Sequence, residues 1–294
     1  MELQILTSIE RHHGYFRSFI KLLAEKYQPL RILCISKKIS YQSATGCFRQ
    51  ETSSIVIDYS LLLITESNTR IDHEVQDYVN HMYEDGTITV LCHGRESADE
   101  AISRNNRFFI HAYSYGDLLY SHDGIPIFSP TSKYDSSYGG AKALKHFNHH
   151  FTLGQGFLDG AKTCLKNGQY NVCVFLLHQT MEQTCIGMIR VFLAYRSEVH
   201  NLNRLLRLCN CFSDIPYNWF FTGRGYDHHL FEILAKSYSQ ARYGRTFLVD
   251  ETDAQFLFDR VSGFSLLANE MCRKKIDEFN SEGTSAVESE VTNG

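Results

Sequence analysis

Three polar side chains lie on or beside an otherwise apolar helical stripe in the second half of the chain. Gln179 and Glu182 fall on the stripe, and His178 lies one residue away from it. A bare carboxylate on the buried side of a helix is costly unless it is paired or hydrogen-bonded. Either these groups bind a nucleotide or a phosphate together with Arg242 and His200, or Glu182 and Arg242 form a buried ion pair that fixes the helix register. The residue types favour the ion pair, and both interpretations require these side chains to lie close together.

A second candidate site combines positive charge with aromatic rings near the end of a later helix. Arg242 and Arg245 flank Tyr243 and Gly244, and the two guanidinium groups are the strongest candidates in the chain for binding an anion. Tyr238 and Tyr243 could stack on a nucleobase. Tyrosines at a helix junction are more often packing residues, so the pattern alone does not establish a nucleobase site.

Asp58 is the candidate catalytic residue of the first half, where it lies within a strand-like run. Metal-assisted phosphoryl transfer uses several carboxylates to hold two metal ions, but the position two residues later is the neutral Ser60. Further ligands would have to come from positions such as Asp117 or Glu66. We therefore expect magnesium only if the chain is an active transferase, and we expect no other metal or cofactor.

Helices and strands alternate in the first half, which predicts an α/β domain over 1–135 with a mixed sheet. Apolar residues at helical spacing predict helices at 7–27, 72–83 and about 96–104. Runs rich in Ile, Val and Leu predict strands at Arg31–Ile35, Ser54–Thr65, Thr87–Leu91 and Arg107–Ala112.

The second half loses the strand pattern and predicts an antiparallel helical bundle over 145–280, so the fold class of the whole chain is α+β. A polar stretch at 123–140, with two of the four prolines, indicates the domain connection. The acidic residues 281–294 contain almost no large apolar groups and predict a disordered tail. The helices of the bundle are expected at Phe151–Asn167, Gln169–Tyr195, about 200–211, about 227–240 and in a last segment capped by Thr252 or Asp250.

Composition excludes several classes of protein. The formal net charge is −4, which argues against a broad surface for duplex DNA. The N-terminal residues are too charged for a signal peptide, and no apolar run approaches the roughly 20 residues that span a bilayer. The nine cysteines are an odd number and lie mostly in apolar stretches, which indicates reduced thiols and a cytoplasmic location.

Three motifs in the second half together resemble the HEPN family, a helical domain of nucleotidyltransferase-linked proteins. In order along the chain they are Gln179 with Glu182, His200 with Leu202, and Ala241-Arg242-Tyr243. The resemblance implies nucleotide or RNA binding and a homodimer formed through the bundle. Ribonuclease members of that family have a histidine shortly after the arginine, and the corresponding positions here are Phe247, Leu248 and Val249. The resemblance therefore does not extend to that cleavage motif.

The first half resembles a degenerate minimal nucleotidyltransferase. That family has a Gly-Ser turn after its first strand and an Asp-x-Asp motif on the following strand. Here the turn retains Ser36 without the glycine, and Asp58 is followed by Ser60 instead of a second aspartate. Ser36, Lys37 and Lys38 could hold a phosphate, although a solvated turn is the simpler interpretation. The resemblance implies a domain that has lost two-metal transfer chemistry.

Three functions stay open at this point. The leading hypothesis is a non-catalytic protein that binds nucleotide or RNA, in which a degenerate nucleotidyltransferase-like domain is joined to a HEPN-like bundle. The second is an active, metal-dependent nucleotidyltransferase that uses Asp58. The third is a ligand-free interaction module, either regulatory or similar to one half of a toxin–antitoxin pair.

Overall fold

The chain divides into two units that are each compact, Met1–Tyr134 and Asp135–Gly294. The computed structural model describes residues 2–125, 133–244 and 246–292, and it describes 2–9, 42, 49–51, 53–54 and 283–292 by their backbone alone. The expected domain bounds at 1–135 and 145–280 remain predictions. No described helix is long and apolar enough to cross a membrane.

The first unit is built on a mixed four-stranded sheet, as the sequence predicts. The strand order is β3-β2-β1-β4, with β1 antiparallel to both of its neighbours and β2 parallel to β3. The strands are β1 Arg31–Gly46, β2 Arg49–Thr65, β3 Thr87–Gly94 and β4 Asp117–Ser121. The first two strands are much longer than predicted because their outer halves are polar and lack the apolar pattern of the inner halves.

Two helices of this unit pack against the sheet and close its core. They are α1 Glu2–Tyr27 and α2 Asp72–Met82. Phe19 and Leu23 of α1 and Val75 and Val79 of α2 are buried against sheet residues such as Leu61. Gln76 of α2 adds a polar link, since its amide bonds both the carbonyl of Ile88 and the N–H of Val90.

The strand predicted at Arg107–Ala112 is wrong, because this segment is helical. It forms α4, Arg107–Tyr115, after α3, Arg95–Ser103. The side chain of Asn106 caps the helix by accepting a hydrogen bond from the N–H of Phe108 at 3.0 Å. Most of α4 is buried, so the run shows no polar face, and a short apolar run does not distinguish a buried helix from a strand.

The second unit is an antiparallel helical bundle, which confirms the predicted fold class. Helix α6 lies at its centre, with buried residues around most of its circumference, and it packs against α5, α7, α9 and α10. Within the described residues the helices are α5 Gly139–Lys166, α6 Tyr170–Leu193, α7 Leu202–Cys209, α8 Ile215–Phe220, α9 Gly225–Tyr243 and α10 Glu251–Thr292. The short α8, with Pro216 in its first turn, was not expected from the sequence.

The ends of two helices differ in how closely they follow the predictions. Helix α5 begins at Gly139, twelve residues before the expected start at Phe151, so His149 and His150 lie within the helix and not at its beginning. For α10, Asp250 is the capping residue, because its carboxylate accepts the N–H of Asp253 at 2.8 Å. The backbone of α10 is helical to Thr292. The side chains beyond Glu282 lie outside the described residues, and the disordered tail stays a prediction.

Candidate functional site

The carboxylate of Glu182 lies at the centre of the polar cluster in the helical unit. Its side chain is 4% exposed, and Oε1 lies 2.9 Å from Nδ1 of His200. Oε2 lies 3.7 Å from Nε2 of His178, one helical turn earlier on α6. Burial alone would raise the pKa of Glu182, but the hydrogen bond with His200 and the electrostatic attraction of both histidines hold this pKa below its ordinary value. Glu182 is therefore a buried anion stabilised by imidazoles.

The backbone around the cluster fixes the orientation of both histidines. Nδ1 of His178 lies 3.0 Å from the carbonyl oxygen of Leu234 on α9, and a carbonyl only accepts, so Nδ1 carries a proton. His200 immediately precedes the cap of α7, where Asn201 accepts the N–H of Arg204 at 3.1 Å. The cap sets where α7 begins and so places the imidazole of His200 beside Glu182.

Several polar atoms of the cluster have unused hydrogen-bonding capacity. Nε2 of His178, Nε2 of Gln179 and Oε2 of Glu182 are buried and form no hydrogen bond with any described residue. A buried donor or acceptor without a partner costs about 1–3 kcal/mol. Such groups can therefore bind a polar ligand without first breaking a bond within the protein.

The ring of Tyr238 packs beside these polar groups. Its ring centroid lies 5.2 Å from that of His178, and it is parallel to the ring of His200 within 5° at 6.2 Å. The guanidinium carbon of Arg242 lies 4.2 Å from the Tyr238 centroid and 5.1 Å from that of Tyr243. The sequence offers Tyr238 for base stacking but gives no signal that places it beside Glu182. Tyr238 thus contacts His178, His200 and Arg242 and links the two histidines to the arginine.

The predicted ion pair between Glu182 and Arg242 is wrong. Arg242 is exposed, and its Nε donates to the carbonyl oxygen of Tyr238 at 2.7 Å, while the carboxylate is bound by histidines. Histidines bind the carboxylate because of where His178 and Arg242 lie on their helices. His178 is one turn from Glu182 on the same helix, whereas Arg242 lies in the last turn of α9 and stacks on the outer side of Tyr238.

The structure thus brings together most of the candidate residues of the helical unit. His178, Gln179 and Glu182 lie on α6, His200 precedes α7, and Arg242 with Tyr243 ends α9. Tyr243 is largely exposed. Arg245 lies outside the described residues, so its part in an anion site stays a prediction.

Asp58 of the first unit lies in the middle of β2, far from the other carboxylates considered as metal ligands. It pairs with Lys38 of β1, whereas Asp117 pairs with Cys34, four residues earlier on β1 and across another strand. The four residues from Cys34 to Lys38 span roughly 13 Å along β1, and the distance between the strands adds to this separation of the two carboxylates. Glu66 follows the end of β2 and lies 3.8 Å from Arg95. Among the described residues no group of three His, Cys, Asp or Glu side chains is arranged to hold a metal ion.

Comparison with protein families gives a match within the helical unit. No curated protein matches the chain. The model of the HEPN domain family matches residues 150–271, a span that contains the whole Glu182 cluster and Tyr238. The helical unit is therefore similar to HEPN domains, in agreement with its motifs.

Proposed function

We propose that this protein binds a nucleotide or RNA without transforming it, through the cluster formed by Glu182, His200, Tyr238 and Arg242. The observation that carries the proposal is the position of Arg242. Its guanidinium lies over Tyr238, and no carboxylate among the described residues pairs with it. An exposed arginine stacked on an aromatic ring presents both a charge for phosphate and a π-face for a base.

The neighbouring buried atoms supply the polar part of the same site. Gln179 Nε2 and Glu182 Oε2 have no hydrogen-bond partner among the described residues, and they could bind a donor or an acceptor of a base or a ribose. Similarity to HEPN domains is consistent with RNA-related or nucleotide-binding roles. Acid–base cleavage finds less support, because Phe247, Leu248 and Val249 occupy the positions where a HEPN ribonuclease has its histidine.

For the first unit we propose a degenerate nucleotidyltransferase-like domain that contributes no metal chemistry. Asp58 faces Lys38 across the strand pair and has Ser60 where a second carboxylate would be needed. The active-transferase alternative keeps Asp58 as one ligand. The interaction-module alternative needs no ligand at either site.

A thermal-shift screen of the full chain tests the proposal. Nucleotides and a short single-stranded RNA are compared with and without magnesium, and a ligand at a hundred times its Kd should stabilise the fold by about 2.7 kcal/mol. Arg242→Ala should remove most of this effect. Lys236→Ala is the matched control, since Lys236 lies on the same helix and pairs with Glu232 at 2.6 Å on the surface.

The other outcomes separate the alternatives. Stabilisation that requires magnesium and disappears in Asp58→Asn would favour an active transferase. Stabilisation by no nucleotide and no RNA would contradict the proposal and favour the interaction module. Equal stabilisation of wild type and Arg242→Ala would show that the ligand binds elsewhere.

A further inference from the structure

Arg190 near the end of α6 is a half-buried cation. Its side chain forms no hydrogen bond and no ion pair with any residue that the structure describes. Burial, and then the charge of Arg196, lower the pKa of Arg190. Its place in the last turn of α6 gives a favourable interaction with the helix dipole, but that effect is worth only about 0.3–1 kcal/mol and leaves the guanidinium donors unused.

Two histidines of α5 lie against the same face of α6. Nδ1 of His150 lies 2.9 Å from Oε1 of Gln183, and a Cβ at Gly187 would lie 3.1 Å from the Cβ of His150. His146 is one turn earlier on α5. Because α5 and α6 are antiparallel neighbours, one turn back on α5 corresponds to one turn forward on α6, which brings His146 to Arg190.

This face is distinct from the one that carries Glu182. At about 100° per residue, Gln183, Gly187 and Arg190 lie within roughly 60° of one another around α6. Glu182 and His178 lie about 80° to 180° away from them. The histidine–arginine cluster and the Glu182 cluster therefore point to different sides of the helix.

The electrostatics of the cluster are those of an anion site. Burial and then Arg190 lower the pKa of His146 to about 4, and burial lowers the pKa of His150 although Gln183 opposes the shift. Both imidazoles are therefore neutral at neutral pH, and a neutral imidazole has one N–H. Because the Gln183 oxygen only accepts, the N–H of His150 is donated to Gln183, and His146 supplies the N–H for a ligand. The other charged or titratable groups that act on them are Lys145 and His149, and no carboxylate is among them.

We propose that His146, His150 and Arg190 form a second ligand site, which binds a phosphate group. Arg190 supplies the charge and two parallel donors for phosphate oxygens, and His146 adds a further N–H group, while Gln183 holds His150 beside them. Gly187 lets α5 approach closely enough to place His150 over α6. A pair of histidines one turn apart could also chelate a transition metal, but Arg190 and Lys145 would repel a cation.

The phosphate could belong to a small molecule or to the backbone of single-stranded RNA. Calorimetric titration of the full chain with inorganic phosphate, a nucleoside monophosphate and a short oligouridylate, at constant ionic strength, distinguishes these sources. Binding of phosphate and monophosphate points to a small ligand. Binding of the oligouridylate alone points to the RNA backbone.

Arg190→Gln should weaken whichever ligand binds by about tenfold or more, because charge-assisted hydrogen bonds are lost. Lys162→Gln removes the same charge from an exposed position of α5 and should leave the affinity unchanged. Made in the Arg242→Ala background, which removes the proposed nucleotide site, Arg190→Gln should still weaken the binding of the same ligand, and this result separates the two sites. His146→Asn provides a second variant should Arg190→Gln fail to fold by circular dichroism, and it should weaken binding too.

Two results would overturn the inference. The first is the absence of binding for all three phosphate compounds, or unchanged affinity in both Arg190→Gln and His146→Asn. The second is stabilisation of the chain by Zn²⁺ at low concentration that is lost in His146→Asn, because a metal site would then explain the histidines.

Discussion

Glu182 illustrates how an apolar helix can hold a buried carboxylate. Its charge is matched by two imidazoles, one from its own helix and one from the segment before α7. Histidine has a shorter side chain than arginine. Its ring also has two nitrogens, so one can face a carboxylate while the second binds another group. In His178 that second nitrogen bonds the Leu234 carbonyl, so the pair links α6 to α9.

We expect Glu182→Gln to lower the free energy of unfolding by about 1–3 kcal/mol. The amide can still accept from His200, but the charge that attracts both imidazoles is gone. Urea unfolding of the two proteins measures the change. Glu270→Gln on the exposed side of α10 is the control and should be neutral, and an equal loss in both variants would contradict a specific role for Glu182.

Asp227 at the start of α9 is another buried carboxylate. Its partners are the guanidinium of Arg260 and the hydroxyl and backbone N–H of Thr222. Asp227 is 3% exposed. Oδ1 accepts from Arg260 at 2.7 Å, and Oδ2 accepts from the N–H and hydroxyl of Thr222 at 2.8 and 2.7 Å. Burial opposes ionisation, but the Thr222 and Arg260 bonds outweigh it and hold the pKa of Asp227 well below its ordinary value of 3.8.

Asp227→Asn should therefore destabilise the chain by about 2–4 kcal/mol at neutral pH. A lowered pKa in the folded state means that Asp227 stabilises the fold above its ordinary pKa and that this contribution is lost as the pH falls below it. The difference in unfolding free energy between wild type and variant should therefore be constant from pH 7 to about pH 4.5 and shrink progressively below the ordinary value of 3.8. A difference that stays constant down to about pH 2.5 would contradict the assignment, and Asp259→Asn, on the exposed side of α10, serves as the control.

At the scale of elements, the turn between α2 and β3 depends on one glycine. Gly86 has φ of +131°, and a Cβ there would lie 2.2 Å from the backbone oxygen of Ile57. Backbone cannot move aside as a flexible side chain can. We expect Gly86→Ala to cost roughly 2–4 kcal/mol through strain and steric conflict together.

The matched control is Gly14→Ala in α1. Gly14 is exposed within the helix and has no atom within 4 Å of an added Cβ. Alanine should therefore raise the free energy of unfolding by about 0.5–1 kcal/mol. Thermal denaturation of both variants checks the pair, and a destabilised Gly14→Ala would show that this unit does not respond to helix propensity as expected.

The sequence correctly predicts the helices and strands whose own residues show a clear apolar pattern. The stripe of α6 and the inner halves of β1 to β3 carry a clear apolar period, so their positions follow from sequence. The helix at Arg107–Tyr115 was mistaken for a strand because burial on nearly all sides removes the period. At the site, the pattern predicts that Glu182 lies near His200, but whether Arg242 reaches the carboxylate depends on helix packing, which spacing along the chain does not reveal.

The cluster of His146, His150 and Arg190 also could not be predicted from spacing along the chain. His146, His150 and Arg190 lie on two helices and become neighbours only through the antiparallel packing of α5 and α6. In sequence, the only signal is a pair of histidines one turn apart. The predicted start of α5 at Phe151 left both residues outside the helix, and so this signal was hidden.

At the scale of the whole molecule, the two compact units suggest that the helical one is stable by itself. It has its own core around α6, including Leu177, Met181, Ile189 and Phe264. We expect residues 135–294 alone to be helical by circular dichroism and to unfold cooperatively on heating. A gradual, non-cooperative melt, alongside a cooperative one for the full chain, would show that the helical unit depends on residues 1–134.

The homodimer through the bundle stays a prediction, and it can be tested at α10. Leu266 of α10 is 75% exposed, so a charge at this position would disrupt a contact formed through α10. We expect light scattering to give a dimer mass for the full chain and for residues 135–294, because the contact is assigned to the bundle.

Leu266→Lys should shift the equilibrium towards monomer, while Lys274→Ala, at an exposed position of the same helix, should not. A monomer mass at high protein concentration would contradict the dimer, and a dimer unaffected by Leu266→Lys would move the contact to another face of the bundle.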